Sequence, residues 1–244
     1  DRGWWIERGP NGGYLAAIVL RAVLAEAAAA DRRPRSMTLH YLRPPVEGPC
    51  EVEVVEERAG RGLTTLSARL RQDGRDCILA LVALGVDRPG PAIHHHAPPT
   101  VRPPAEIPPR ADGATVGPDI PFRHRFDLRP AIGSLPFETG PEALTGGWIR
   151  TVEDDPLDEV LLAAITDSWP PAVFSTMELP VGVPTVELTV HFRNLPTGES
   201  SWCLVRFRTL EVSEGYLEES GEVWSADGRL LAESRQLAVV LPPG

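Results

Sequence analysis

The chain has 244 residues, of which 42% are apolar and 24% charged, and its formal net charge is -10. That length can bury a substantial core as one large domain or two ordinary ones, and the composition excludes a disordered or fibrous chain. No apolar run reaches the roughly 20 residues of a membrane-spanning helix, and an acidic chain with scattered Lys and Arg lacks the basic patch of a nucleic-acid binder. Membrane insertion and nucleic acid are therefore not expected. Cys50, Cys77 and Cys203 have no metal-ligand spacing and read as buried, reduced thiols. The sequence begins at Asp1 and not at a methionine, which leaves room for a preceding segment; a cytoplasmic setting is the default expectation.

Taken in chain order, a helical run over residues 11–30 is followed by a strand at 37–42 that Arg43-Pro44-Pro45 closes. Strands at 50–57, 62–72 and 76–85 come next, the last two joined by Asp73-Gly74, a strong hairpin signal. Residues 86–118 are crowded with proline (Pro98, Pro99, Pro103, Pro104, Pro108, Pro109) and read as a linker crossing the surface. His94, His95 and His96 fall inside it, and consecutive histidines cannot all point at one metal, so no metal site is expected. Residues 122–128 and 146–151 look like opening strands of a second unit.

The order then recurs. A helix at 157–169 precedes strands at 185–192, 201–211, 216–225 and 230–241, with Asp227-Gly228-Arg229 standing where Asp73-Gly74-Arg75 stood and His191-Phe192 where His40-Tyr41 stood. Both helices, Tyr14-Leu15-Ala16-Ala17-Ile18-Val19-Leu20 and Val160-Leu161-Leu162-Ala163-Ala164-Ile165, lack a polar face and must be enclosed. A sheet wrapped around each would enclose it. The expected fold is α+β, a double hotdog with a long central helix in each repeat: residues 1–85, the linker 86–118, and residues 119–244.

A repeat exposes polar residues that the scaffold does not require. Asp167 ends the second apolar helix where the first has Arg21 and Ala22; the negative end of the helix dipole and apolar neighbours should raise its pKa. Gln236 shares a face of the last strand with Ala232, Ser234 and Ala238, whereas its counterpart near Val82 lies in a wholly apolar run. Thr185 shares parity with Glu187, Thr189 and His191, which points it away from a cavity lined by Gln236 unless it lies at the mouth between the two repeats. Gly9-Pro10-Asn11-Gly12-Gly13 opens the first helix with free amides able to hold an anionic oxygen. There is no Gly-x-Ser-x-Gly elbow, phosphate loop or dinucleotide fingerprint. Trp4, Trp5 and Trp148 read as core packing, with an acyl tunnel or a subunit contact as alternatives.

Asn11-Gly12-Gly13, Tyr41-Leu42-Arg43-Pro44, Gly60-Arg61-Gly62, Asp167, Thr185 with His191-Phe192-Arg193, and Asp227-Gly228 followed by Gln236 together resemble the acyl-CoA thioesterase II family, the TesB-like double hotdogs. The resemblance covers nearly the whole chain apart from the linker. It implies hydrolysis of an acyl-CoA by a water that Asp167, Thr185 and Gln236 position and activate, without cofactor or metal, in a homodimer. Amides near Gly12 and Gly13 are the expected oxyanion donors. Hydration of an enoyl-CoA would want an Asp and His pair that is not evident. A non-catalytic acyl-CoA binding protein is the alternative, and separation of Asp167 from Gln236 by more than about 8 Å would favour it.

Overall fold

A computed structural model describes residues 1–27, 31–109, 120–179, 181–195 and 201–241. Helix α1, Gly12–Ala27, is followed by β1 (Arg33–Tyr41), β2 (Glu51–Ala59), β3 (Leu63–Gln72) and β4 (Arg75–Gly85). After the proline-rich stretch come β5 (Phe126–Gly133), β6 (Leu144–Thr151), helix α2 (Glu159–Ile165), β7 (Thr185–Phe192), β8 (Cys203–Arg208), the short β9 (Val212–Ser213), β10 (Tyr216–Ser225) and β11 (Leu230–Val239). The expected helix end at 28–30 and the linker residues 110–118 lie outside the described residues.

All the strands belong to one antiparallel sheet in the order β2-β3-β4-β1-β7-β11-β10-β8-β6-β5, with β9 on β10. Alternation explains its two faces. Leu66, Ala68 and Leu70 of β3, Ala80, Val82 and Leu84 of β4, and Met37 and Leu39 of β1 turn inward and are buried, while Ser67, Arg69 and Thr38 face out. The edges are blunted against further pairing: β2 carries Glu51, Glu53, Glu56 and Glu57, and β5 carries Pro130.

The repeat is visible in the register. β1 pairs with β7 so that the equivalent threonines, Thr38 and Thr189, sit opposite one another with hydroxyls 2.9 Å apart, and Ser36 faces His191 as His40 faces Glu187. This is a pseudo-two-fold centred on the Thr38–Thr189 pair, and it makes the two halves one continuous sheet. The Asp73-Gly74 turn has φ of 50° and 71°, the mirror-image turn that matches strand twist. Its counterpart is looser, with a register shift after Val223 and Ser225 N–H bonded to the Arg229 carbonyl.

The second helix departs from expectation. It spans seven residues, Glu159–Ile165, and not 157–169. Asp158 caps its start by accepting from Leu161 N–H, and its end is closed by Thr166 and Ser168, whose hydroxyls donate to the Ala163 and Ala164 carbonyls, before Pro170 and Pro171 forbid continuation. Residues 121–125 form a 3-10 turn, so the strand there starts at Phe126. Cys50 is exposed, against the expectation of three buried thiols, because it precedes edge strand β2; Cys77 and Cys203 are buried and free.

One core joins α1, α2 and the inner face of the sheet. Trp4 stacks on Tyr14 at 4.8 Å and meets Phe122 and Phe126, so the N-terminal segment packs against the second half. Trp148 lies in a separate cluster with Ile107, Leu204 and Trp224, its indole donating to the Arg102 carbonyl, and this seats part of the proline-rich stretch. Among the described residues no helix is long and apolar enough to cross a membrane.

Candidate active site

The start of α1 and the end of α2 meet at Asp167. Asn11 caps α1, its Oδ1 accepting from Tyr14 N–H at 3.0 Å and its carbonyl from Leu15 N–H at 3.2 Å. Its Nδ2 reaches across to donate to the Asp167 carbonyl at 2.8 Å and lies 3.4 Å from Asp167 Oδ2. Gly13 N–H donates to the same Oδ2 at 2.9 Å. Of the first-turn donors in α1, this leaves Gly12 N–H to be satisfied from outside the helix.

The glycines are needed for this approach. A Cβ on Gly13 would lie 2.3 Å from the Ala164 carbonyl oxygen, and one on Gly12 would lie 2.6 Å from Asp167 Oδ2 and 3.3 Å from the Tyr41 ring. Tyr41 closes the other side, donating to the Gly12 carbonyl at 2.9 Å. Burial, and then the negative charges of Asp167 and Glu187, keep its phenol neutral well above the ordinary range.

The Asp167 carboxyl is pushed up to about 7, chiefly by burial, against the lowering effect of the Gly13 N–H and of a hydrogen bond from Gln236. The direction is the one expected from the sequence, and of the two causes named there burial is the one that acts most strongly. The carboxyl also meets the positive start of α1 through Gly13 N–H, which favours the charged form, and desolvation outweighs that.

Gln236 stands on the inner face of β11 with the buried Ala232, Ser234 and Ala238, opposite Leu188 of β7. Its amide donates to Thr185 Oγ1, and it lies close enough to Asp167 to lower that carboxyl's pKa. The parity that set Thr185 on the outer face fails for a specific reason. β7 and β11 pair Leu237 with Glu187 but Ala238 with Thr185, and the extra residue Val186 forms a bulge. Thr185 is thereby opposite an inward alanine and reaches Gln236.

The structure thus brings Asp167, Thr185, Gln236, Gly12 and Gly13 together. Gly13 N–H, expected as an oxyanion donor, is engaged by the Asp167 carboxyl. Three further residues were not assigned to the site from sequence. Asn11 and Tyr41 appear as helix cap and strand end, which give no hint of contact with residue 167. Glu219 left a clearer trace, a carboxylate on the strand face shared by Leu217, Gly221 and Val223. It is 6% exposed, lies directly across from Gln236, and its Oε2 accepts from Ala172 N–H.

The acyl-CoA thioesterase N-terminal domain model matches residues 1–85, and the acyl-CoA thioesterase C-terminal domain model matches residues 98–240. The chain belongs to the acyl-CoA thioesterase family. A conserved protein of unknown function with a hot dog fold from Alicyclobacillus acidocaldarius is 29% identical, with a TM-score of 0.92 over 100% of this chain and 92% of that one. A candidate thioesterase II from Thermobifida fusca YX is 30% identical, with a TM-score of 0.83 over 99% and 90%. The acyl-CoA thioesterase II TesB2 from Mycobacterium marinum shares the fold, at 18% identity and a TM-score of 0.77 over 97% and 91%. In this acyl-CoA thioesterase family member the polar cluster takes Asn11, Gly12, Gly13 and Tyr41 from the region of the N-terminal model and Asp167, Thr185, Glu219 and Gln236 from that of the C-terminal one.

Proposed function

We propose that the protein hydrolyses a fatty or related acyl-CoA to the free acid and coenzyme A, with Asp167 as general base. The observation that carries this reading is the contact of Gln236 with both Asp167 and Thr185, on a carboxyl whose pKa of about 7 suits proton transfer near neutrality. A water held by Thr185 and Gln236 attacks the thioester carbonyl carbon while Asp167 takes its proton. The oxyanion collapses, the C–S bond breaks, and the sulfur leaves as the coenzyme A thiolate or, protonated, as the thiol.

Gln236 can serve both partners because its amide nitrogen has two protons, one for Thr185 and one for Asp167, and accepting the first frees the threonine hydroxyl to donate onward. With Gly13 N–H engaged by Asp167, Gly12 N–H is the donor we assign to the developing oxyanion. The fold that accompanies this reading is a double hotdog of residues 1–85 and 119–244 joined by 86–118. The assembly we expect is a cytoplasmic homodimer, checked by light scattering of the purified chain.

The direct test is free-thiol release from acyl-CoAs of graded chain length by the wild type and Asp167→Asn. Chain-dependent hydrolysis that falls about 10²–10⁴-fold in the variant is the expected result. A folded wild type that binds acyl-CoA and releases no thiol at any length would replace this reading with that of an acyl-CoA binding protein.

A further inference from the structure

Glu219 is a buried carboxyl that the proposed chemistry does not use. It stands on β10 directly opposite Gln236, and its Oε2 accepts from Ala172 N–H, where the chain that has just left Asp167 turns into a short 3-10 segment. Asp167 is therefore held at two places: by Asn11 and Gly13 at the residue itself, and by Glu219 five residues on. Among the described residues no ion pair reaches Glu219. Neighbouring Glu218 faces the other side of the strand, toward Arg235 at 3.3 Å. The ionisable groups whose fields reach Glu219 are Asp167 and Glu218, both acidic; Gln236 on β11 is neutral.

We propose that Glu219 is a positioning residue for the Asp167–Gln236 pair, anchoring the chain that leaves Asp167 through Ala172 N–H and suppressing turnover when it ionises. The proposal rests on the hydrolytic reading above. A buried anion beside the site opposes the negative charge that develops on the thioester oxygen, an effect that is large where water is excluded. Burial first, and then the charge of Asp167, push the Glu219 carboxyl up to about 8. Both carboxyls are thus raised toward neutral pH, and loss of the Glu219 proton supplies the basic limb of the activity profile.

The test is the pH dependence of kcat/KM, corrected for spontaneous thioester hydrolysis, in the wild type, Glu219→Gln and Glu219→Leu. The wild type should fall about tenfold from its maximum one unit above the basic pKa. Glu219→Gln keeps an acceptor for Ala172 N–H and should hold its activity there, with the acid limb unmoved. Glu219→Leu should lose the anchor and be slower at every pH. A basic limb unchanged in Glu219→Gln, or a Glu219→Leu profile that matches the wild type, overturns the proposal.

A second measurement does not need turnover. In carbon-13 carboxyl NMR of the wild type, one glutamate should titrate near 8, and Asp167→Asn should lower that value by removing the adjacent charge. Absence of such a glutamate sinks the inference about Glu219 even if hydrolysis is confirmed. Its presence without thiol release sinks the hydrolytic reading alone.

Discussion

At the scale of single residues, the site is defined by carboxyls that the fold keeps out of water. Asp167 and Glu219 both bind protons more tightly folded than unfolded, so their contribution to stability is complete below about pH 4 and is lost as pH rises through 7 and 8. Asp167→Asn should therefore raise Tm by several degrees at pH 8.5 and by little at pH 4, read by thermal denaturation at the two values. With Asp167 as the proposed base, kcat/KM should fall about tenfold per unit below pH 7 as it is protonated. Gln236 was legible because it breaks an apolar pattern that the other half of the chain keeps, and Asp167 because it is a carboxylate at a helix end where the other half has none. Glu219 broke one too, between Leu217 and Gly221, but its meaning depends on Ala172 and Gln236, which only the folded chain brings beside it.

At the scale of elements, the site depends on how closely α1 approaches α2, and the two glycines separate packing from chemistry. Gly13→Ala sets a methyl 2.3 Å from the backbone oxygen of Ala164, which cannot yield without moving a helix, so a loss of about 1–3 kcal/mol in denaturant titrations is expected. Gly12→Ala meets the Asp167 carboxyl at 2.6 Å, a side chain that can turn aside. Stability should be largely retained there while kcat drops by an order of magnitude or more. Strand placement was readable from alternation and from Asp73-Gly74, since both follow from local backbone geometry. The bulge at Val186 was not, because an extra residue in one strand leaves no mark in that strand's composition; it shows only against the partner's register. The brevity of α2 was likewise hidden, set by Thr166 and Ser168 turning their hydroxyls back onto the helix instead of outward.

At the scale of the whole molecule, the polar cluster spans both halves of the sheet. Residues 1–85 supply the start of α1 and Tyr41; the later part supplies Asp167, Thr185, Glu219 and Gln236. Residues 1–85 and 98–244 produced separately should each be inactive, and their co-expression should recover hydrolysis through β1–β7 pairing, measured as thiol release from the mixed and the separate chains. The repeat itself was legible, since two helix-and-strand series with matched Asp-Gly turns survive in the residues. The pairing of Thr38 with Thr189 required the register.

That two-fold has a further consequence for the number of sites in each chain. Perfect symmetry would give every chain two reaction centres, yet the positions that mirror Ser234, Gln236 and Ala238 are Ala80, Val82 and Leu84, all buried and all without a proton to donate or receive. Each molecule carries its own blank, so a tight, slowly released substrate mimic should titrate to one equivalent per chain.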